Sequence, residues 1–429
     1  MGTPAAGSPG RIPDLLVIGA GLAGLMAAQT GADAGLSVRV VAKGMGATHW
    51  AAGTVDVLGY LPTDDTPVHH PLEAVERLPE DHPYRRVGGA PRVARGLARF
   101  QELTQALKLP YVAREDGQNW WLPSPAGAPR PAYLAPQAQA RGDLERKEPL
   151  LIVGFAGLRD FYPRLIAENL ARQEIQARAA SLPLNLLTPR RDVNTVQLAR
   201  TLDRPDPVER LGRELRALAR PGERIGLPAI LGLERHLWTW HRLEAITEAP
   251  VFEIPTLPPS VPGIRLFQAW QRHLLAQGVR VEMGMAAIGF QAAGDRILWV
   301  ETESAARPLR HRAGRFVLAT GGILGGGIAA GPDGPAREVV FGLPLAVPTE
   351  RRHWFRPRFL DPAGHPLFQG GVAVDPALRP VDPRTGQTIY TNLHAAGEIL
   401  AGTDSIRERS LEGIALATGA AILPAAASP

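Results

Sequence analysis

The chain has 429 residues, 45% of them hydrophobic, enough for more than one domain and a sizeable core. Its net charge of +5 comes almost wholly from arginine, because lysine stands only at Lys43, Lys108 and Lys147. The arginines read as dispersed among acids, with no basic run interleaved with aromatics, which argues against a nucleic-acid partner and leaves only a weak attraction to anionic surfaces. Cysteine is absent, which excludes disulfides, thiolate zinc sites and a conventional iron–sulfur cluster. Any electrons handled here must pass to another subunit or to a soluble acceptor.

Residues 1–13 are rich in Gly, Pro and Ala with no apolar leader core. Stretches 316–331 and 414–427 are the most membrane-like, but neither is an uninterrupted span of about 20 apolar residues. These features predict a cytoplasmic chain. The first regular element is a buried strand at 15–18, which runs into Gly19, Gly21 and Gly24 and then a helix. Gly19 allows a sharp turn, Gly21 lets backbone approach a phosphate, and Gly24 lets the helix press on the strand. With Leu22 and Ala23 they form the opening turn of a helix whose first N–H groups lack intrahelical partners and attract an anion. Gly35 and a second strand at 38–41 complete a βαβ unit within about thirty residues.

That second strand ends in Ala42 and Lys43, where a ribose-binding carboxylate is ordinarily found. The missing carboxylate weakens a nicotinamide reading. A small-residue segment follows with Thr48, His49, Ala51, Ala52 and Gly53, then a proline- and acid-rich loop at 62–83. Helical periodicity covers 93–107. A Gly/Pro-rich stretch at 117–136 carries Trp120 and Trp121. A second strand with two glycines, Gly154 and Gly157, opens at Leu150 and reads as the βα turn of a separate α/β domain. From 267 onward the order is a helix to 277, a strand at 279–282, a meander at 288–291 and 296–302 turned at Gly294 and Asp295, and an apolar strand from 315 ending in Gly321 and Gly322. Gly397 and Glu398 then precede a small-residue helix around 413–422.

Many flavoproteins show this succession, with the acidic residue after the last strand beside the ribityl chain and the final helix facing the isoalloxazine. The implied fold class is α/β: a Rossmann-like flavin-binding domain, its parallel sheet accompanied by a small antiparallel meander, with an inserted α/β substrate or cap domain. The expected division is 1–60 and 255–429 for the flavin-binding domain and 61–254 for the insertion. Expected cofactor-binding residues are Gly19, Gly21, Leu22, Ala23, Gly24, Ala42, Lys43, Thr48, Ala51, Ala52, Gly53, Gly321, Gly397, Glu398 and Gly413, with FMN and FAD both open. No metal site is assigned.

The segment 256–266, containing Pro258, Pro259, Ser260, Pro262, Gly263 and Arg265, resembles the hallmark of the B subunits of anaerobic glycerol-3-phosphate dehydrogenase. The glycine turn, 48–58, His82 to Tyr84, 153–161, 228–233 and 392–398 match as well. The resemblance implies a flavoprotein usually assigned FMN, paired with an FAD-bearing A subunit and a cysteine-rich iron–sulfur C subunit. The C subunit anchors the pair at the inner face of the cell membrane and passes electrons towards quinone. Membrane contact is then made only through a partner. The implied substrate is glycerol 3-phosphate, oxidised to dihydroxyacetone phosphate.

A phosphate dianion calls for arginine, whose planar fork bonds two oxygens, and Arg265 is the first choice, followed by Arg407 and Arg409. His49 and His394 are the candidate bases. Residues 407–413 are bulkier and more charged than the family's glycine-rich stretch before the last helix. Two other readings remain: a non-catalytic electron-transfer or scaffold subunit whose A partner does the substrate chemistry, and a stand-alone flavin oxidoreductase.

Overall fold

A computed structural model describes residues 12–331, 334–359 and 361–423. Most of the N-terminal tail and the last residues of the 414–427 stretch lie outside them. The chain divides into two compact units: one contains the residues up to Ala47, Asp56–Phe100 and those from Trp270 onward, the other Thr48–Val55 and Gln101–Ala269.

The first unit is built on a five-stranded parallel sheet, in the order Arg280–Met283, Val38–Ala42, Leu15–Ile18, Arg315–Leu318, Leu393–Ala395. Its central strands are apolar on both faces because parallel sheets are covered on both sides. Helix Leu22–Asp33 lies close against it: a Cβ on Gly31 would sit 2.8 Å from Leu15 and 2.9 Å from Val38 side chains. The C-terminal helix Leu411–Ala420 packs on that helix, with a Cβ on Gly419 placed 2.6 Å from the Ala23 carbonyl. The meander forms as expected from Ala287–Ala293 and Arg296–Thr302, turning at Gly294 and Asp295, and gains a third antiparallel strand, Leu309–His311.

The stretch expected as a plain loop at 62–83 is partly ordered. Tyr60–Leu61 pairs with Asp64–Pro67, and the short helices Pro71–Ala74 and Pro83–Arg86 each begin on a proline, whose fixed φ suits a first helical turn.

The second unit holds a four-stranded parallel sheet, in the order Ala177–Pro183, Leu150–Ala156, Arg224–Pro228, Val251–Ile254. Helices Pro163–Ala171, Pro205–Leu218 and His236–Thr247 connect its strands, and their apolar faces share one core with it. Leu150 therefore opens a separate α/β layer, as its glycine spacing suggested. The helix expected from 267 begins earlier, at Val261, because the Ser260 hydroxyl accepts the Gly263 N–H at 3.0 Å and caps it.

One expectation needs correction. Arginines and aromatics do interleave at Arg351, Arg352, Trp354, Phe355, Arg356, Arg358 and Phe359. The run was lost among evenly spread arginines and has no helical or strand period.

Candidate functional site

In the first unit the predicted glycines gather at the carboxyl ends of the parallel strands. Gly19 turns at φ +114°, and a Cβ there would lie 2.2 Å from the Ala319 carbonyl oxygen. A Cβ on Gly24 would lie 2.0 Å from the Gly19 carbonyl oxygen, so helix and turn touch backbone to backbone. Gly21 differs: nothing stands within 4 Å of its Cβ position, and its extended backbone suits any residue. It caps helix Leu22–Asp33 without a side-chain hydrogen bond, and the first turn, with Leu22 and Ala23, carries no acid. An open volume at an uncapped helix N-terminus is an anion cradle.

Ala42 ends the second strand buried, and Lys43 follows it exposed. Gly46, at φ +60°, brings this loop to Gly21: its Cβ position is 3.1 Å from the Gly21 Cα.

Gly397, at φ +84°, packs where a Cβ would meet Ala23 at 2.7 Å, and its N–H donates to Thr418 Oγ1 at 2.8 Å. It ties the end of strand Leu393–Ala395 to both helices. Glu398 is half-buried and accepts the Gly322 N–H at 3.3 Å; burial pushes its carboxyl above the ordinary value. Gly321 turns at φ +77° with its Cβ position 3.8 Å from the same carboxylate. Thr320 Oγ1 is buried beside it without a hydrogen-bond partner, an orphan that a bound polar group can satisfy. Gly19, Gly21, Leu22, Ala23, Gly24, Ala42, Gly321, Gly397 and Glu398 thus converge. A flavin phosphate fits the cradle, and the Glu398 carboxyl is suited to a polyol hydroxyl.

The start of the final helix is held by residues that the sequence reading did not single out for it. Glu408 is buried and accepts from His82 Nε2 at 3.0 Å, Thr403 Oγ1 at 2.9 Å and the Asp404 N–H at 3.0 Å. His82 Nδ1 accepts the Tyr84 N–H, so the ring is a neutral Nε2–H tautomer donating to the carboxylate. Gly413 is sterically required, since a Cβ would lie 2.2 Å from Tyr84 Oη and 2.8 Å from the Val57 Cα. The bulk at 407–413 is therefore accommodated by a latch. His82 and Tyr84 were visible as a matching segment; their partner Glu408, 326 positions away, was not.

The basic candidates are placed otherwise. Arg407 spends its donors on the Pro62 and Asp361 carbonyls and on Asp65, and Arg409 is exposed at φ +53°. His394 sits within its strand opposite Val317. Burial, and then the charge of Arg315, lower its pKa to about 4.

Thr48, His49, Ala51, Ala52, Gly53 and Arg265 belong to the second unit. His49 is exposed, and its carbonyl accepts the Ser260 N–H at 2.7 Å. A Cβ on Gly263 would sit 1.7 Å from the Thr48 carbonyl oxygen, and one on Gly53 2.3 Å from Pro262. The Ala52 carbonyl accepts from Gln139 Nε2 at 3.0 Å. The small residues of both segments are thus explained by mutual packing. Arg265 is 4% exposed. Its guanidinium forks onto Glu253 at 3.1 Å from two nitrogens and donates to the Gly232 carbonyl at 2.7 and 3.0 Å. The residue chosen first for a substrate phosphate is the cation of a buried internal pair.

The family model described as FAD binding domain matches residues 14–415. Fold, cradle and match together define a flavoprotein whose cofactor is a flavin, FAD or FMN. The probable B subunit of anaerobic glycerol-3-phosphate dehydrogenase from Halobacterium salinarum is 35% identical over 431 residues, covering 96% of this chain and 97% of its own. The B subunit of the anaerobic glycerol-3-phosphate dehydrogenase from Vibrio cholerae is 31% identical over 420 residues, with 94% of each chain covered. The chain belongs to this family, the B subunits of anaerobic glycerol-3-phosphate dehydrogenase. Among solved structures, an open flavocytochrome c3 fumarate reductase aligns over 97% of this chain and 78% of its own at 11% identity, with a TM-score of 0.43.

Proposed function

We propose that the chain is the flavin-bearing B subunit of a complex that oxidises glycerol 3-phosphate to dihydroxyacetone phosphate and delivers the electrons to quinone through its partners. The observation that carries this reading is the identity of 31–35% maintained over nearly the whole length of the named relatives. The expected partners are an FAD-bearing A subunit and an iron–sulfur C subunit that holds the complex at the membrane.

The amides opening helix Leu22–Asp33 hold the flavin phosphate, Gly21 leaves it room, and Glu398 and Thr320 bind its polyol. When bound, the flavin supplies the two-electron acceptor. His394, neutral near pH 7, and the exposed His49 are the proposed proton acceptors for the substrate hydroxyl. The substrate or cap domain, expected at 61–254, is proposed to be the second unit, Thr48–Val55 and Gln101–Ala269, since Asp56–Phe100 belongs to the first.

One observation favours the second reading, a scaffold or electron-transfer subunit served by the A subunit. Arg265 and Arg407 commit their donors to the protein itself and not to an open site. The test is to purify the chain, record its visible spectrum and add glycerol 3-phosphate without oxygen. A yellow protein that bleaches alone supports the first reading. Bleaching only after addition of the A subunit supports the second. A colourless chain that neither FMN nor FAD reconstitutes overturns the flavin assignment.

A further inference from the structure

Between the paired segments at Leu345 and Val372 the chain makes a long excursion whose described residues hold no strand and one short helical turn, Arg351–His353. Its ends are close, the Ala346 N–H donating to the Gly371 carbonyl at 2.8 Å, which makes it an Ω-type loop. Irregular loops of such length in compact domains are uncommon and are usually either functional or linker segments.

This loop is pinned from within. Trp354 is 1% exposed and donates its indole N–H to the Pro348 carbonyl at 2.8 Å, and the Leu367 N–H bonds the Trp354 carbonyl at 3.1 Å. The His365 ring clamps its outermost part: Nδ1 accepts the Arg356 N–H at 3.0 Å while Nε2 lies 2.9 Å from the Phe359 carbonyl.

Apolar groups are nevertheless turned outward. Phe359 is 90% exposed, Phe355 49% and Phe368 36%. Phe355, His365 and Phe368 stack edge to face at 5.6–6.1 Å, forming an aromatic crown. Four exposed arginines, Arg351, Arg352, Arg356 and Arg358, are interspersed with it, and no acid lies between Arg351 and Phe359. Arg351 donates to the Gly331 carbonyl and Arg356 to the Gly364 carbonyl, Glu350 pairs with Arg352, and Asp361 stands 3.9 Å from Arg356, so the segment keeps a positive excess with Arg358 the least committed of the four.

We propose that this loop is a docking surface for an anionic phospholipid bilayer, with Phe359 and the aromatic crown entering the interface and the arginines binding lipid phosphates. The arrangement favours lipid over a protein partner. Arginine and aromatic residues are enriched at protein interfaces too, so the choice of lipid rests on the positive excess and on the exposure of the ring. A ring as exposed as Phe359 has no shaped pocket around it, and a fluid interface needs none. Arginine stems can lie along the acyl boundary while their guanidinium groups stay at the phosphates. No helix among the described residues is long and apolar enough to cross a membrane, so this contact is with the surface. It adds a direct attachment to the partner-mediated one expected from the sequence.

The test is flotation of the full chain with phosphatidylcholine vesicles, with and without phosphatidylglycerol. Wild type is expected to float with the anionic vesicles, to stay behind with the neutral ones, and to be released by salt. Arg358→Gln should lower partitioning about fivefold, the effect of one basic charge near an anionic surface. Phe359→Ser should lower it roughly tenfold. Both side chains are exposed, so unchanged melting temperatures show that the fold survives. Absence of flotation with anionic vesicles overturns the proposal, as does equal flotation of wild type and both variants. If neither wild type nor variants bind vesicles but the variants lose a purified companion subunit, the loop is a protein interface and the proposal falls.

Discussion

Replacing Arg265 with methionine tests whether this arginine serves the substrate or the fold. Methionine keeps much of the volume but removes the charge and the donors to Glu253 and Gly232. Glu253 is fully buried, and breaking such a pair from one side costs about 3–5 kcal/mol, because the remaining charge is uncompensated. For a domain of 150–250 residues that loss lowers the melting temperature by roughly 10 °C.

The sign of the pH dependence is distinctive. In wild type, burial alone would raise the Glu253 pKa, but the charge of Arg265, with His236, outweighs it and leaves the carboxyl below its ordinary value. Its contribution to stability is present above the unfolded pKa and is lost as pH falls through the folded one. Without Arg265, burial dominates and the folded pKa lies above the unfolded value, so the variant is penalised most at neutral pH and regains stability on acidification. The deficit, read from urea unfolding near pH 7 and near about pH 4.5, should therefore narrow at the lower pH. Glu253→Gln in the same chain should restore most of it. A substrate-phosphate role predicts the opposite pattern: near-native melting and a raised KM. Unchanged stability, or a deficit indifferent to pH, would refute the internal pair.

At the cradle, Gly21→Val should cost only about 1 kcal/mol of melting stability, the loss of a good N-cap, yet abolish flavin retention in the visible spectrum, because its Cβ position faces open space and no protein atom within 4 Å. Gly24→Ala, by contrast, should destabilise the apo chain itself by about 1–3 kcal/mol, seen by calorimetry, since its Cβ would meet the Gly19 backbone. Glu408→Ala leaves the donors of His82, Thr403 and Asp404 buried without an acceptor and should cost about 3–4 kcal/mol in thermal melts, with Glu408→Gln much milder. Burial, with Arg265 nearby, lowers the His236 pKa to about 4 from 6.5. The unfolded chain therefore gains a proton first as pH falls, and this group withdraws up to about 3 kcal/mol of stability between those values. His236→Asn, which keeps a donor for the Leu231 carbonyl, should flatten that part of the stability–pH curve.

Local chemistry was the legible part of the chain. Gly19, Gly21 and Gly24 act through their missing side chains, and the backbone contacts that require this at Gly19 and Gly24 are near in sequence or on the adjacent strand. The turn at Gly294 and Asp295 and the apolar strand from Arg315 follow from periodicity in the same way. Arg265 was placed on the right loop, but a guanidinium bound for phosphate and one bound for Glu253 look alike until the fold brings strand Val251–Ile254 beneath it. The Glu408 latch was hidden for a related reason, since its acceptor and donor lie at opposite ends of the first unit's sequence. The loop around Phe359 escaped because exposure is a property of packing, and an irregular segment offers no period from which to read it.

The order of strands in the first sheet also sets a timetable for synthesis. Strand Leu15–Ile18 is the first of the sheet to be made, but its neighbour Arg315–Leu318 emerges about 300 residues later, and that strand in turn pairs with Leu393–Ala395. At ordinary translation speeds the gap is roughly 15–60 s, during which an apolar strand has one open edge. All four strands of the second sheet lie between Leu150 and Ile254, so that layer can assemble while the first one waits. If the Gly19–Gly24 turn and Glu398 hold the flavin as proposed, its loading waits for strand Leu393–Ala395 and helix Leu411–Ala420, long after the glycines of the turn are made.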